Sequence, residues 1–324
     1  MSDKMTSGLS AQSAKPCVLF LWEQGNAREW KFFMEELVGD IDFRVFPDVG
    51  NRGEVDYIMT WMPPIGEIEK YPNIKAIFSI GAGVSHILRD PHVPRDIPIV
   101  RLTDDALSLD MSLYALHWTL HFHRGFDHYL RQKQSKLWKR HPYPANEDRK
   151  VGVLGLGEIG GKLAEMLRDA HFDVGGWSRS KKDIEGVSCF VGEEGLTQLL
   201  RRSEILISVL PPTPETANLL NDARLRLMPK GAFLINMGRG EAVVDDDLVK
   251  LLDEGHLAGA VLDVFREEPL PSLSPYWSHP SVVITPHAAA PTNVKYGAKR
   301  IAENIIKMET GRPPHPVYNV NLGY

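Results

Sequence analysis

The stretch Lys150-Val-Gly-Val-Leu154 runs into Gly155-Leu-Gly157-Glu158-Ile159-Gly160, and a helical pattern from Lys162 to Ala170 follows at once. A strand, this glycine spacing and a helix in register constrain the chain more than any other feature. The first glycine permits a tight turn, the second lets the backbone approach a pyrophosphate, and the third allows helix and strand to pack closely. Amides at the start of such a helix face phosphate. A dinucleotide site on a parallel sheet is the expectation.

The surroundings extend the pattern. Six short apolar runs alternate with helical stretches: Lys150 to Leu154, Asp173 to Trp177, Glu204 to Leu210, Ala232 to Met237, Gly259 to Val264 and Ser281 to Thr285. Together they make a complete dinucleotide-binding domain. An earlier series, Cys17 to Trp22, Phe43 to Phe46, Tyr57 to Trp61, Ala76 to Ile80 and Ile97 to Val100, predicts a second parallel sheet, with a helix over Ala27 to Val38. A helix from about Asp105 to Tyr129 reads as a bridge between domains, and a final helix spans Thr292 to Glu309. The 324 residues exceed what one core usually serves, so two domains are expected. The reading is an α/β protein with one domain over 17–115 and 292–324, a cofactor domain over 116–291, and a disordered leader over 1–16.

Composition narrows the functions open to such a fold. A net charge of -5, with the densest basic cluster only Arg179 to Lys182, argues against a nucleic-acid partner. The run Cys17 to Trp22 is too short to span a bilayer, so no membrane partner is expected. Two cysteines, Cys17 and Cys189, are too few for a disulfide framework and fit a reducing, cytoplasmic setting. No metal site is read.

In open parallel sheets ligands lie beyond the carboxyl ends of the strands. Three such tips carry polar groups: Gly238-Arg239-Gly240, Phe265-Arg-Glu-Glu268-Pro269 and Pro286-His287. A guanidinium pairs bidentately with a carboxylate, so Arg239 suits a 2-oxo acid. An imidazole titrating near neutrality can protonate the alkoxide left by hydride transfer, and a neighbouring carboxylate favours its charged form. His287 is therefore read as the acid and Glu268 as its tuner. Taken singly, each residue has an ordinary surface reading. Their joint placement carries the assignment.

The tip after the second strand of this domain decides the cofactor. NAD-preferring enzymes usually hold an acid there, about twenty residues past the glycines. This chain has Trp177-Ser178-Arg179-Ser180-Lys181-Lys182, hydroxyls and cations suited to a 2'-phosphate. NADPH is expected over NADH, with NADH use possible.

With these residues in view, the chain resembles the D-2-hydroxyacid dehydrogenase family, nearest to its bacterial glyoxylate/hydroxypyruvate reductase A type. The likeness runs from Trp61 to the end through Trp61-Met-Pro-Pro64, Gly81-Ala82-Gly83-Val84, Trp177-Ser-Arg179, Leu210-Pro211-Pro-Thr-Pro-Glu-Thr216, Asn236-Met237-Gly238-Arg-Gly240, Leu262-Asp263-Val-Phe265, Glu268-Pro-Leu-Pro271, Ile284-Thr-Pro-His287 and Gly323-Tyr324. The resemblance implies a Rossmann cofactor domain inserted into a flavodoxin-like substrate domain, a homodimer, and reduction of glyoxylate and hydroxypyruvate. It also selects Glu268, before Pro269, over Glu267. By the same resemblance the amides of Ala82, Gly83 and Val84 bind the substrate carboxylate, Trp61 walls the pocket, and Asp263 touches the nicotinamide carboxamide. Gly155, Gly157, Glu158, Ile159, Gly160, Ser178, Arg179, Ser180, Leu210, Pro211, Met237, Gly238 and Asp263 make up the expected cofactor set. Two departures stand out: Ser85-His86 replaces the acid many relatives carry after the glycine loop, and Met111 to Tyr114 lacks the usual Glu. A nucleotide-sensing corepressor of the same fold, or a reductase of a bulkier 2-oxo acid, are the rival readings. Formate dehydrogenase is disfavoured, because formate has no carbonyl to protonate.

Overall fold

A computed structural model describes residues 15–103 and 105–319. The leader expected over 1–16 lies outside these apart from Lys15 and Pro16, as does the closing Gly323-Tyr324. The elements are β1 (Cys17–Leu21), α1 (Ala27–Val38), β2 (Asp42–Val45), β3 (Tyr57–Thr60), β4 (Ala76–Ser79), α2 (Ser85–Leu88), β5 (Ile99–Val100), α3 (Asp105–His123), α4 (Phe126–Gln134), β6 (Lys150–Leu154), α5 (Glu158–Asp169), β7 (Asp173–Trp177), β8 (Ser188–Phe190), α6 (Gly192–Arg202), β9 (Ile205–Ser208), α7 (Asp222–Leu225), β10 (Ala232–Asn236), α8 (Asp245–Asp253), β11 (Leu257–Leu262), β12 (Val282–Ile284) and α9 (Val294–Glu309).

Two compact units result. Residues 15–103 with 292–319 form one, and 105–291 form the other. The boundary expected at 115/116 falls inside α3, which belongs whole to the second unit. There its apolar side packs on α5 and the sheet through Ala115 and Phe122.

In the first unit five parallel strands lie in the order β2-β1-β3-β4-β5, the flavodoxin-like arrangement. β1, β3 and β4 are buried on both faces, which is why they read as unbroken apolar runs. Val18, Phe20, Tyr57 and Met59 face α1 and α9, while Leu19, Leu21, Ile58 and Ile77 face the opposite core. Trp30 of α1 lies against Gly297 of α9 so closely that a Cβ there would sit 2.8 Å from its ring.

In the second unit seven parallel strands run β12-β11-β10-β9-β6-β7-β8. The order reverses between β6 and β9, the switch point at which such sheets bind ligands. Val151, Val153, Ile205 and Ile235 face α3 and α5, whereas Leu154, Leu206 and Leu234 face α6 and α8. Two expectations change. A seventh strand, β8, was not read, because three residues at a sheet edge carry no period. The single helix expected from Asp105 to Tyr129 breaks at Gly125, whose φ of 62° puts it in the left-handed region.

Candidate active site

At the switch point Gly155 takes φ 99° and its amide reaches the Trp177 carbonyl at 2.8 Å. A Cβ on Gly160 would lie 1.7 Å from the Gly155 carbonyl oxygen, so only glycine lets α5 approach the strand. A Cβ on Gly157 would meet nothing within 4 Å. That open space lies where α5 begins, and no side chain caps the helix there. Glu158 is exposed and Ile159 half-buried in its first turn. The remaining tips close on the same place. A Cβ on Gly238 would lie 2.7 Å from the Leu210 nitrogen, and Thr216 Oγ1 donates to the Pro211 carbonyl at 2.5 Å. Met237 is buried beneath, its amide bound to the Ser208 carbonyl. A backbone shaped this way, with a helix start open to an anion, fits a dinucleotide pyrophosphate.

At the end of β7, Ser178 is buried and its hydroxyl donates to the Ser180 carbonyl at 2.7 Å, shaping the turn. Arg179 and Ser180 project as exposed residues. The charge of Arg179 is felt by Glu215, whose carboxyl is lowered by its own backbone amide, by Thr213 and then by Arg179.

The three reacting-group candidates come together in the second unit. His287 Nδ1 lies 2.8 Å from Glu268 Oε2, and the Phe265 amide donates to Glu268 Oε1 at 2.9 Å. Burial, the largest influence, pushes the Glu268 carboxyl up. The His287 bond, the Phe265 amide and the charges of His287 and Arg239 outweigh it and hold the carboxyl below its ordinary value. Arg239 Nη1 donates to the Gly238 carbonyl at 2.7 Å, and Asn236 Nδ2 to the Arg239 carbonyl at 3.0 Å. Gly240 seats the Arg239 tip against the Glu268 loop, since a Cβ there would lie 2.0 Å from the Phe265 carbonyl carbon.

The contacts that support these residues were not read from the sequence. Asp263, 1% exposed, accepts from Thr285 Oγ1 at 2.5 Å and from the Ala288 and Ala289 amides at 2.8 and 3.0 Å. Both of its oxygens thus hold the loop that carries His287, a task distinct from the cofactor contact expected of it. His287 has φ 52°, and its amide is fixed by the Asp263 carbonyl at 2.8 Å. Tyr114 of α3 shares a hydrogen with Thr285 at 2.6 Å, and burial pushes its phenol up to about 12. Arg266 binds the carbonyls of Glu241 and Val243 and the side chain of Asn218. A lone arginine two residues before Glu268 was the only visible signal for that clamp.

In the first unit, Trp61 follows β3 and the Gly81 to Val84 turn follows β4. The Trp61 ring lies over Gly81, where a Cβ would come within 2.4 Å, and packs 4.0 Å from the His86 ring. Ala82 and Gly83 are half-buried and Val84 is buried.

Among the described residues no helix is long and apolar enough to cross a membrane. Residues 116–289 match the model of the D-isomer specific 2-hydroxyacid dehydrogenase NAD binding domain. The chain is 37% identical to a glyoxylate/hydroxypyruvate reductase A of Serratia proteamaculans over 95% of its own length and 99% of the relative's. A D-isomer specific 2-hydroxyacid dehydrogenase from Xanthobacter autotrophicus, solved with NADPH and MES, superposes with a TM-score of 0.92 at 37% identity, covering 96% of this chain and all of that one. An NADPH-dependent glyoxylate/hydroxypyruvate reductase from Sinorhizobium meliloti, solved with NADP and sulfate, gives 0.90 at 32% identity, covering 96% and 100%. Built on the two parallel sheets of these relatives and matching them nearly end to end, the chain belongs to the D-isomer specific 2-hydroxyacid dehydrogenase family.

Proposed function

We propose that the protein is an NADPH-dependent reductase of small 2-oxo acids, converting glyoxylate to glycolate and hydroxypyruvate to D-glycerate. The observation that carries this reading is the His287 to Glu268 bond at 2.8 Å, with Arg239 near enough for its charge to act on the same carboxylate. The relatives named for these two substrates, and the neighbours solved with NADPH or NADP, support it.

Gly155, Gly157 and Gly160 with the start of α5 hold the pyrophosphate, and Ser178, Arg179 and Ser180 read the 2'-phosphate. When bound, a reduced nicotinamide supplies the hydride. Arg239 takes the substrate carboxylate in its fork and polarises the adjacent carbonyl. His287, oriented through Nδ1 by Glu268, gives a proton from Nε2 to the alkoxide oxygen. Glu268 stays ionised throughout and keeps the imidazole turned. In the first unit the amides of Ala82, Gly83 and Val84 serve as carboxylate donors and Trp61 as an apolar wall.

We also infer a homodimer working in the cytoplasm. Phe126, Leu130 and Trp138, exposed by 46%, 61% and 101%, form an apolar stretch on and after α4 that a second copy would cover. Cys17 and Cys189 are both free thiols, in keeping with a reducing compartment. Light scattering on the purified chain tests the first inference, and fractionation of cells the second.

The deciding experiment is a rate panel of glyoxylate, hydroxypyruvate, pyruvate and phenylpyruvate with each reduced cofactor. Turnover of the first two with NADPH is expected. No turnover of any 2-oxo acid would leave a nucleotide-sensing role instead.

A further inference from the structure

The turn after β4 has its carbonyls tied back one after another. Ser79 Oγ lies 2.8 Å from the Gly81 carbonyl and 2.8 Å from that of Gly83, and Arg101 Nε donates to the carbonyl between them, Ala82, at 3.0 Å. Ser79 is 1% exposed and is itself held by the Gly81 amide at 3.2 Å. His86 Nε2 stands 3.5 Å from the same hydroxyl while its ring packs on Trp61. Arg101 is fixed in turn, its amide bound to the Pro316 carbonyl at 2.9 Å.

In a trans peptide the carbonyl of one residue and the amide of the next point in opposite directions. With its one hydroxyl hydrogen shared between the Gly81 and Gly83 carbonyls, Ser79 aims the amides of Ala82 and Val84 away from itself, and Arg101, by holding the Ala82 carbonyl, aims the Gly83 amide away from its own guanidinium. None of those three amides donates a hydrogen bond among the described residues. Successive amides held in place without a protein partner can form a nest open to an anion. The donor set of Ser79 and Arg101 costs the nest none of its own amides.

We propose that Ser79 and Arg101 are positioning residues that fix these amides, so that affinity for the substrate carboxylate depends on two side chains that hold the turn through its carbonyls. This rests on the function proposed above. Loss of either tie frees a peptide plane to rotate and removes an amide from the anion, a change in binding and not in the chemical step.

The test uses Ser79→Ala and Arg101→Met in the full chain at saturating NADPH. Each is expected to raise KM for glyoxylate and hydroxypyruvate about tenfold, with kcat within about twofold and KM for NADPH unchanged, as for a lost hydrogen bond to a charged ligand. Oxalate affinity by calorimetry is measured alongside and should weaken by the same factor. If folded variants keep wild-type KM and oxalate affinity, or lose kcat with KM intact, the proposal is overturned. Should Ser79→Ala fail to fold, Arg101→Met alone decides, since Arg101 is only half-buried. A wild-type chain that reduces no 2-oxo acid, yet binds oxalate in a manner weakened by these variants, would overturn the proposed function and keep the nest. One that neither reduces nor binds would overturn both.

Discussion

Glu268 and His287 lie nineteen positions apart in the chain yet meet at 2.8 Å, and the carboxylate that orients the imidazole is itself held by the Phe265 amide at 2.9 Å. The carboxylate is thus fixed on one oxygen and engaged on the other, so the ring it turns has one preferred direction. With Nδ1 committed, Nε2 is the nitrogen that the proposed function gives to proton transfer.

Replacing His287 with Ala should lower kcat for 2-oxo acid reduction by roughly two to four orders of magnitude, the scale of a lost general acid. NADPH affinity, read by fluorescence titration, should stay near normal. Near wild-type turnover would remove His287 from the reaction.

Glu268 gives a pH prediction. Its folded carboxyl is held below the ordinary value, chiefly by the His287 bond working against burial. Stability from such a group is present above the ordinary carboxylate range and is lost as the pH falls through the depressed folded value. Glu268→Gln should therefore melt earlier than wild type at neutral pH, by about 1 kcal/mol for a half-exposed hydrogen-bonded pair. The gap should close in acid. Thermal midpoints measured from neutral pH downward check this, and a gap that persists unchanged into strong acid contradicts it.

Arg179 should set cofactor choice. Wild type is expected to favour NADPH over NADH at least tenfold in kcat/KM, which needs only about 1.4 kcal/mol. Arg179→Ala should erode most of that preference by weakening NADPH. Full selectivity in the variant would show that the tip of β7 does not read the phosphate.

Gly240 should be intolerant of any side chain. A Cβ there would lie 2.0 Å from the Phe265 carbonyl carbon and 2.3 Å from the Arg266 nitrogen, main-chain atoms that cannot rotate away. Gly240→Ala is expected to cost about 1–3 kcal/mol as overpacking. It should also lower kcat, because the Glu268 loop must shift relative to Arg239. Denaturant midpoints and turnover measured together would show both losses. A variant as stable and active as wild type contradicts the close seating.

The glycine turn could be read from the sequence because its rule is a backbone rule: Gly155 supplies the positive φ, Gly160 the close approach of α5, and Gly157 the open space at the helix start. The strand tips at Arg239 and His287 followed from the parallel sheet, whereas Glu268 was separated from Glu267 only by the family resemblance. What the sequence concealed depends on backbone groups. Asp263 looks like any acid after a strand until the amides of Ala288 and Ala289 close on it, and Ser79 and Arg101 bind carbonyls that every residue possesses. The break at Gly125 was hidden because apolar spacing continues through it, and β8 because it is too short to have a period.

The packing of α9 on α1 has a consequence for synthesis. Trp30 and Met34 belong to the first unit, and the face that covers them, with Gly297, Ala298 and Ile301, is made only after residues 105–291. At roughly 5–20 residues per second this interval is on the order of ten to forty seconds. The second unit, one uninterrupted stretch, can finish folding within it. The nascent first unit must wait with Trp30 and Met34 of α1 uncovered, which makes it the half of the molecule most in need of a chaperone on the ribosome.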